Sequence, residues 1–544
     1  MRRQNSNASS VKALEKDRKL RYQSASDLRA DLHRLKRDTD SARVAALSRL
    51  VHAAGARPWW RRKTVLGAGS LVLAALLALG TWFAVFRGRG EAIDSLAVLP
   101  FVNASTDPNS EYLSDGISES IINNLSQLSN LRVMARTTVF RYKGKEIDPQ
   151  KIGHDLNVRA MVTGRVQQHG DNLIIQAELV DVEKGSQLWG GQFNRKLADV
   201  IGIQEEISKE ISEKLRLKLS GDEKQRVTKR QTENAEAYQV YLKGLYYFYK
   251  ATPEATLKAR EYFQQAIDRD PGYALAYAGL AGSYVYQSEC PPREAMPKAQ
   301  AAARRALELD DRLAEAHVSM ALVNYRYEWD WEAAGKHFEQ AIKLNPASPL
   351  VHLDYANYLG ALGRSNEALE AYRKGAELDP VSPLITSGVA GVLYFTRRFD
   401  EAIEQARKAL DIDPSLPPAI FVLGLAYAAK GMYREALAEF EKYPPGPRRD
   451  AYLAYLRARL GERNQALQML DQLKGLSKER YVPAFSFAVI YLGLGEKDQA
   501  FAWLEKAYED RSSLILFLKG DPIWDPLRSD PRFADLLRRI GLPQ

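Results

Sequence analysis

Small residues recur through the second half of the chain at near-constant spacing, and this period restricts the fold more than any other feature. Ala259, Ala299, Ala334, Ala368, Ala402, Ala436, Ala466 and Ala500 are separated by 40, 35, 34, 34, 34, 30 and 34 residues. A unit of this length holds two helices and a turn and cannot bury its own apolar face, so units must stack. Four residues after many of these alanines stands a ring (Phe263, Phe338, Tyr372, Phe440), and seven after comes another small residue (Ala266, Ala341, Ala409, Ala507). Small residues let paired helices approach, and the ring fills the groove beside them. Asp270-Pro271, Asn345-Pro346, Asp379-Pro380 and Asp413-Pro414 close units, because proline cannot continue a helix, while Gly363, Gly431, Gly461 and Gly495 mark turns inside them.

With these residues in place, 235–510 resembles the tetratricopeptide family, in about eight repeats. The resemblance implies an all-α superhelix that binds a protein or peptide in its concave groove. Tyr241, Tyr246, Tyr247, Tyr277 and Tyr284 are candidate groove residues, with core packing the competing role of each. An insertion around Cys290-Pro291-Pro292 and the run Pro444-Pro445-Gly446-Pro447 interrupt the register. The final segment, 511–544, contains WDPLRSDPRFADLLRR and resembles a cap over the last repeat's apolar face.

Charge is distributed unevenly. Residues 1–63 hold 17 Lys+Arg and 6 Asp+Glu, and the other 481 residues hold 60 and 62, so the net +9 is confined to one end. A nucleic-acid binder would carry clustered cations on its folded surface, and none is expected as a partner. The basic stub stops at Val65–Phe86, an uncharged run of 22 residues that spans roughly 33 Å as a helix. We expect a single transmembrane helix at 65–86, with Trp59, Trp60, Trp82 and Phe83 near the interfaces. Ser70, Ala74 and Ala78 form a row of small residues that could pair two such helices into a homodimer. Cations before the span outnumber those after it. The expected topology is therefore a single pass through a bacterial inner membrane, N-terminus cytoplasmic and bulk periplasmic.

Within the stub, VKALEKDRKLRYQSASDLRADLHRL begins at residue 11 and reads as a basic amphipathic helix. Over 11–36 it resembles the C-terminal end of a bacterial serine/threonine kinase lobe, with Arg21 matching the arginine that closes that lobe. The Gly-rich loop, H-R-D and D-F-G of that family are missing from the sequence, so this chain is expected to have no kinase activity. A sensory fragment of a transmembrane kinase is the alternative reading.

From Asp94 the pattern changes to short apolar runs: SLAVLPF, Leu131 to Ala135, and two alternating stretches flanking His169-Gly170-Asp171-Asn172. Ser114-Asp115-Gly116 is read as the start of a helix through Ile117, Ile121, Ile122 and Leu125, and Val200 to Leu215 as a closing helix. These segments resemble the N-terminal domain of TolB-like periplasmic proteins. The resemblance implies a small α/β sensory or docking domain at 94–220. Gly116-Ile117-Ser118-Glu119-Ser120 is only a near-match to a nucleophile elbow, and surface or capping roles are expected for its polar residues. One cysteine and scattered histidines suggest no metal or other cofactor.

The expected fold is thus multidomain: a transmembrane helix, a small α/β domain, then an all-α superhelix. The expected function is membrane-anchored protein–protein interaction without catalysis. A reporter that is active only in the cytoplasm, fused after Gln544, should stay silent; strong activity there would refute the topology.

Overall fold

The computed structural model describes residues 93–542 apart from 129, 146–147, 216–220, 222–229, 251 and 287–289. The stub, Arg21 and the run 65–86 with Ser70, Ala74 and Ala78 lie outside the described residues. Among the described residues no helix is long and apolar enough to cross a membrane.

The N-terminal elements are β1 (Ser95–Val98), β2 (Val102–Asn103), α1 (Glu111–Ser126), β3 (Arg132–Val133), α2 (Arg136–Val139), α3 (Pro149–Asp155), β4 (Ala160–His169), β5 (Asn172–Asp181), β6 (Ser186–Lys196) and α4 (Val200–Lys214). The alternation read around Gly170 becomes the β4–β5 hairpin, with His169 opposite Asn172 and Gly170 at φ 57° in the turn. Strand order is β3-β1-β4-β5-β6, with β1 parallel to both neighbours and β2 also pairing with β4. All four residues of β1 are buried, as a strand covered on both sides requires. Helix α4 buries Val200, Ile203, Ile207 and Ile211 on one face.

One boundary differs from the sequence reading. Helix α1 begins at Glu111, after a short 3-10 turn that Asp107 caps by accepting from Asn109 N–H, so Ser114, Asp115 and Gly116 lie inside it. Gly116 is not a helix-start residue. A Cβ there would stand 2.8 Å from Leu242 Cδ2 and 3.0 Å from Leu242 Cβ, so the glycine lets the first repeat approach α1. Ser118 is neither surface nor cap: it is fully buried, accepts from Phe101 N–H at 2.9 Å and donates to the Ser114 carbonyl at 2.8 Å.

The repeats are eight helix pairs among the described residues: α5 (Ala235–Phe248) with α6 (Pro253–Arg269), α7 (Ala274–Val285) with α8 (Pro292–Leu309), α9 (Ala314–Val323) with α10 (Trp331–Leu344), α11 (Pro349–Ala361) with α12 (Ser365–Leu378), α13 (Pro383–Phe395) with α14 (Phe399–Ile412), α15 (Pro417–Ala429) with α16 (Tyr433–Lys442), α17 (Pro447–Arg459) with α18 (Arg463–Leu476), and α19 (Ala484–Gly493) with α20 (Lys497–Glu509). Every register alanine sits in the second helix of its pair and is 0% exposed. Asp270, Asn345, Asp379 and Asp413 terminate second helices, and Gly363, Gly431, Gly461 and Gly495 take positive φ after first helices.

Two features tie the ends to the array. The hydrophobic core of the α/β domain continues without a break into Tyr238, Leu242, Phe263 and Tyr273 of the first repeats, and 92–544 is one compact unit. At the other end, α21 (Pro531–Ile540) packs on α20 through Arg532 over Phe501 at 4.1 Å and an Arg539–Glu505 pair. The segment does more than cap the last repeat. Trp331 Nε1 donates to the Ile540 carbonyl at 3.1 Å, Phe517 stacks on Phe395 at 5.5 Å, and Arg397 holds Asp525 through two bonds of 2.7 Å. It therefore reaches back across the third to fifth repeats.

Gly116→Val should destabilise the protein by about 1–3 kcal/mol through overpacking against Leu242. Chemical denaturation of Gly116→Val, Leu242→Ala and the double variant should show a double variant at least about 1 kcal/mol more stable than additivity. Additive losses would contradict the contact.

Candidate functional site

First helices such as α13 (PLITSGVAGVLYF) and α15 (PPAIFVLGLAYAA) are apolar on nearly all sides, whereas second helices are amphipathic. A helix apolar all round needs cover on two faces. Second helices cover one, and the other faces a cleft of about 400 Å³ lined by α11, α13, α15 and α17 and closed on one side by the C-terminal segment. Small residues Gly360, Gly388 and Gly391 line it, and a Cβ on Gly388 would meet the Tyr372 ring at 2.3 Å.

Rings form its walls. Tyr452 meets Phe421 edge-on at 4.9 Å and stacks on Phe440 at 5.1 Å, and the Arg448 guanidinium lies 3.9 Å from the Phe421 centroid. Tyr372 donates to Asn357 Oδ1 at 2.7 Å, while Ser387 Oγ is buried with no hydrogen-bond partner among the described residues. At the tail side Tyr394 donates to Asp521 Oδ1 at 2.5 Å. Burial pushes the Asp521 carboxyl up to about 6, partly offset by hydrogen bonds from Tyr394 and Ile523 N–H. Its neighbour Asp525, half exposed, is instead held low by its hydrogen bonds to Arg397. This set of rings, phenols, an amide and one guanidinium is suited to holding a chain segment.

The five tyrosines taken as groove candidates lie elsewhere, in the first two repeats. Tyr241 is buried between Phe263 at 5.7 Å and Tyr273 at 5.0 Å. Tyr246 donates to Glu111 Oε2 at 3.2 Å and meets the α/β domain, Tyr247 stacks on Tyr262 at 5.4 Å, and Tyr284 lies under Arg260 at 4.2 Å. Tyr277 is half-buried against a small cluster with Ala274 and Ala306. Of the rings that line the cleft, Tyr372 is one of the rings the repeat register marks, whereas Tyr394, Phe421 and Tyr452 are not among the candidates. Their signal in the sequence was the all-round apolarity of the first helices. His317 and His337 approach Nδ1 to Nδ1 at 2.9 Å, and His317 Nε2 contacts the Asp311 carbonyl. No three His, Cys, Asp or Glu gather to hold a metal among the described residues.

Comparison with known proteins gives two kinds of match. Residues 320–383, 353–417 and 396–460 match tetratricopeptide repeat families, and 92–210 match the second domain of HilA/YgeH-like transcriptional regulators, where the sequence analysis expected a TolB-like domain. A protein of Rhizobium meliloti (strain 1021) named "Putative adenylate cyclase 3" is 32% identical over 232 residues, which is 42% of this chain. The chain spans 40% of the length of that curated relative. Among solved structures, Pseudomonas aeruginosa PilF aligns at 21% identity over 38% of this chain and 93% of that one, with a TM-score of 0.30. Yeast Tom70 aligns at 17% identity over 63% and 62%, with a TM-score of 0.34. Residues 320–460 are thus tetratricopeptide repeats, a protein-interaction fold, and helix pairs of the same form flank them on both sides.

Asp521 supplies a pH test of the cleft wall. Its folded-state pKa exceeds the unfolded value, so the folded state holds the proton more tightly. The associated stabilisation is full below about pH 4 and is lost as pH rises through 6, on the order of 2–3 kcal/mol. Asp521→Asn keeps the shape and the Ile523 cap and removes the titration. Relative to wild type it should gain stability between pH 4 and 7 in parallel denaturation series, and a constant difference would show that Asp521 is not so placed.

Proposed function

We propose that this chain is a non-catalytic, membrane-anchored interaction protein whose superhelix binds an apolar, ring-bearing segment of a protein or peptide outside the cytoplasmic membrane. The observation that carries the binding reading is the aromatic cleft between α11 and α17, open beside buried rings and edged by the Arg448 guanidinium. Anchoring at 65–86 is supported by the uncharged run and by the cations before it. The α/β domain is a sensory or docking accessory, TolB-like in its sequence pattern. Its match to a domain of transcriptional regulators favours a module used in signalling proteins. The alternative, a fragment of a transmembrane kinase, rests on residues 11–36 alone.

Display of random dodecapeptides against the full chain should enrich sequences with aromatic or branched aliphatic residues. Gly391 lines the cleft and its Cβ position is open, with only Val422 at 3.9 Å, so Gly391→Leu fills the space without a backbone clash. It should weaken the selected peptide at least tenfold, about 1.4 kcal/mol, with little change in Tm. Peptides without an apolar motif, or binding indifferent to Gly391→Leu, would overturn the reading.

A further inference from the structure

A second cavity of about 250 Å³ lies where the α/β domain crosses the first four repeats. Its roof is α1 with the start of α2, and its floor is the inner faces of α5, α7, α9 and α11. It shares no lining residue with the aromatic cleft.

The recessed charges in its walls are already met. Glu119 pairs with Arg136 at 2.9 Å, and that guanidinium is enclosed by the rings of Phe140 at 3.7 Å and Tyr249 at 3.9 Å. Asp354 accepts from Tyr286 at 3.4 Å, and Arg326 meets its charge. Glu315, also in the lining, is exposed to water. A ligand charge of either sign would give up its hydration here and find no free counter-ion among the recessed groups, so the walls select an uncharged occupant.

The polar group left unmet is a hydroxyl. Ser319 of α9 lines the cavity and is only 5% exposed. Two other buried helical serines, Ser126 of α1 and Ser283 of α7, donate to the carbonyls of Ile122 and Leu280 at 2.7 and 2.6 Å. Ser319 makes no such bond among the described residues, and a buried hydroxyl without a partner is a cost that a ligand group bonded to it removes. The surrounding wall is ring and bare backbone: Phe248 and Tyr286 stand 6.2 Å apart, Tyr286 is 49% exposed, and Gly282 of α7 leaves open space beside Phe248. Since a closed apolar cavity of about 150 Å³ holds benzene, this one suits a single ring with a short arm. We propose that the interdomain cavity binds a small uncharged aromatic compound carrying one hydroxyl or N–H group, its ring against Phe248 and Tyr286 and its polar group on Ser319 Oγ. Because roof and floor come from different parts of the unit, such a ligand also ties the α/β domain to the repeats.

The test is calorimetry on the full chain with 2-phenylethanol and indole as probes, toluene as the ring without a polar group, and phenethylamine and phenylacetate as charged analogues. At least one polar probe should bind saturably at one site, with both charged analogues roughly tenfold weaker or worse. Ser319→Ala should cost that probe roughly threefold to tenfold in Kd and leave toluene unchanged. Gly282→Leu tests the same site independently: a Cβ at Gly282 has Phe248 no nearer than 3.6 Å, so the added side chain occupies the cavity and should abolish binding. Absence of saturable binding by both polar probes, a charged analogue that binds as well as they do, equal effects of Ser319→Ala on probe and toluene, or binding unchanged in folded Gly282→Leu overturns the proposal. None of these results bears on the peptide cleft.

Discussion

The packing of α1 against α5 decides what the rest of the superhelix can do. Glu111, Asp115 and Glu119 follow one another at four-residue intervals on α1, a row of like charges that would disfavour a free helix. Lys143 answers Glu111 and Asp115 at 2.7 Å each, Arg136 answers Glu119, and Tyr246 and Tyr249 donate to the row from the first repeat. Because Glu119 and Arg136 are largely out of water, desolvation consumes most of what their attraction supplies. The net drive comes from the continuous apolar core around Leu242, and the ionic row chiefly selects one register among the ways two apolar helices can slide. That register places the α/β domain over the inner face of the first repeats. The open aromatic cleft is consequently found further along, between α11 and α17.

The far end of the chain obeys a similar logic. Four turns inside repeats use glycine at positive φ, but Trp329 and Arg397 occupy this conformation at φ 60° and 64°. A non-glycine residue there costs about 1 kcal/mol, so something must offset it. Arg397 holds Asp525 with two bonds, and Trp329 lies against Tyr508 at 5.0 Å with Arg511 4.0 Å above its ring. Both exceptions are sites where the C-terminal part of the chain returns to the array. Nearest-neighbour stacking alone would leave an extended solenoid sensitive to local opening. Contacts from the tail to the third and fifth repeats add couplings of long sequence separation and close one wall of the cleft.

How much of this could be read beforehand depended on whether the signal was local. The 34-residue register, its proline and glycine punctuation and the hairpin around Gly170 report conformations that a few neighbouring residues determine, and each is where the sequence places it. Gly116 was misread because its cause, Leu242, lies 126 positions away. The tyrosine candidates lie in the first two repeats, where Tyr246 reaches Glu111 of α1 and Tyr241 packs on Phe263. The cleft rings sit singly in successive repeats, Tyr372 on a second helix and Tyr394, Phe421 and Tyr452 on first helices. Only stacking brings Tyr372, Tyr394, Phe421 and Tyr452 together, and no local window contains that fact.

The two cavities differ in chemistry although the same repeat builds both. In the first four repeats the inner helices contribute Glu315, exposed on α9, and Asp354, whose carboxyl burial raises to about 6 and whose charge Arg326 meets, while the α/β roof contributes a pair that cancels itself. In the later repeats α13, α15 and α19 carry no charged side chain, and the cation that lines the cleft, Arg448 of α17, is drawn over the Phe421 ring. An incoming segment therefore meets rings first, with Arg448 able to engage a carboxylate or a backbone carbonyl at little reorganisation cost. Asp521 pulls the other way at the opposite wall, but with its pKa raised to about 6 it is the acid of the cleft most readily neutralised. The later repeats thus present rings and a single cation to an apolar chain segment, without any difference in backbone architecture from the first.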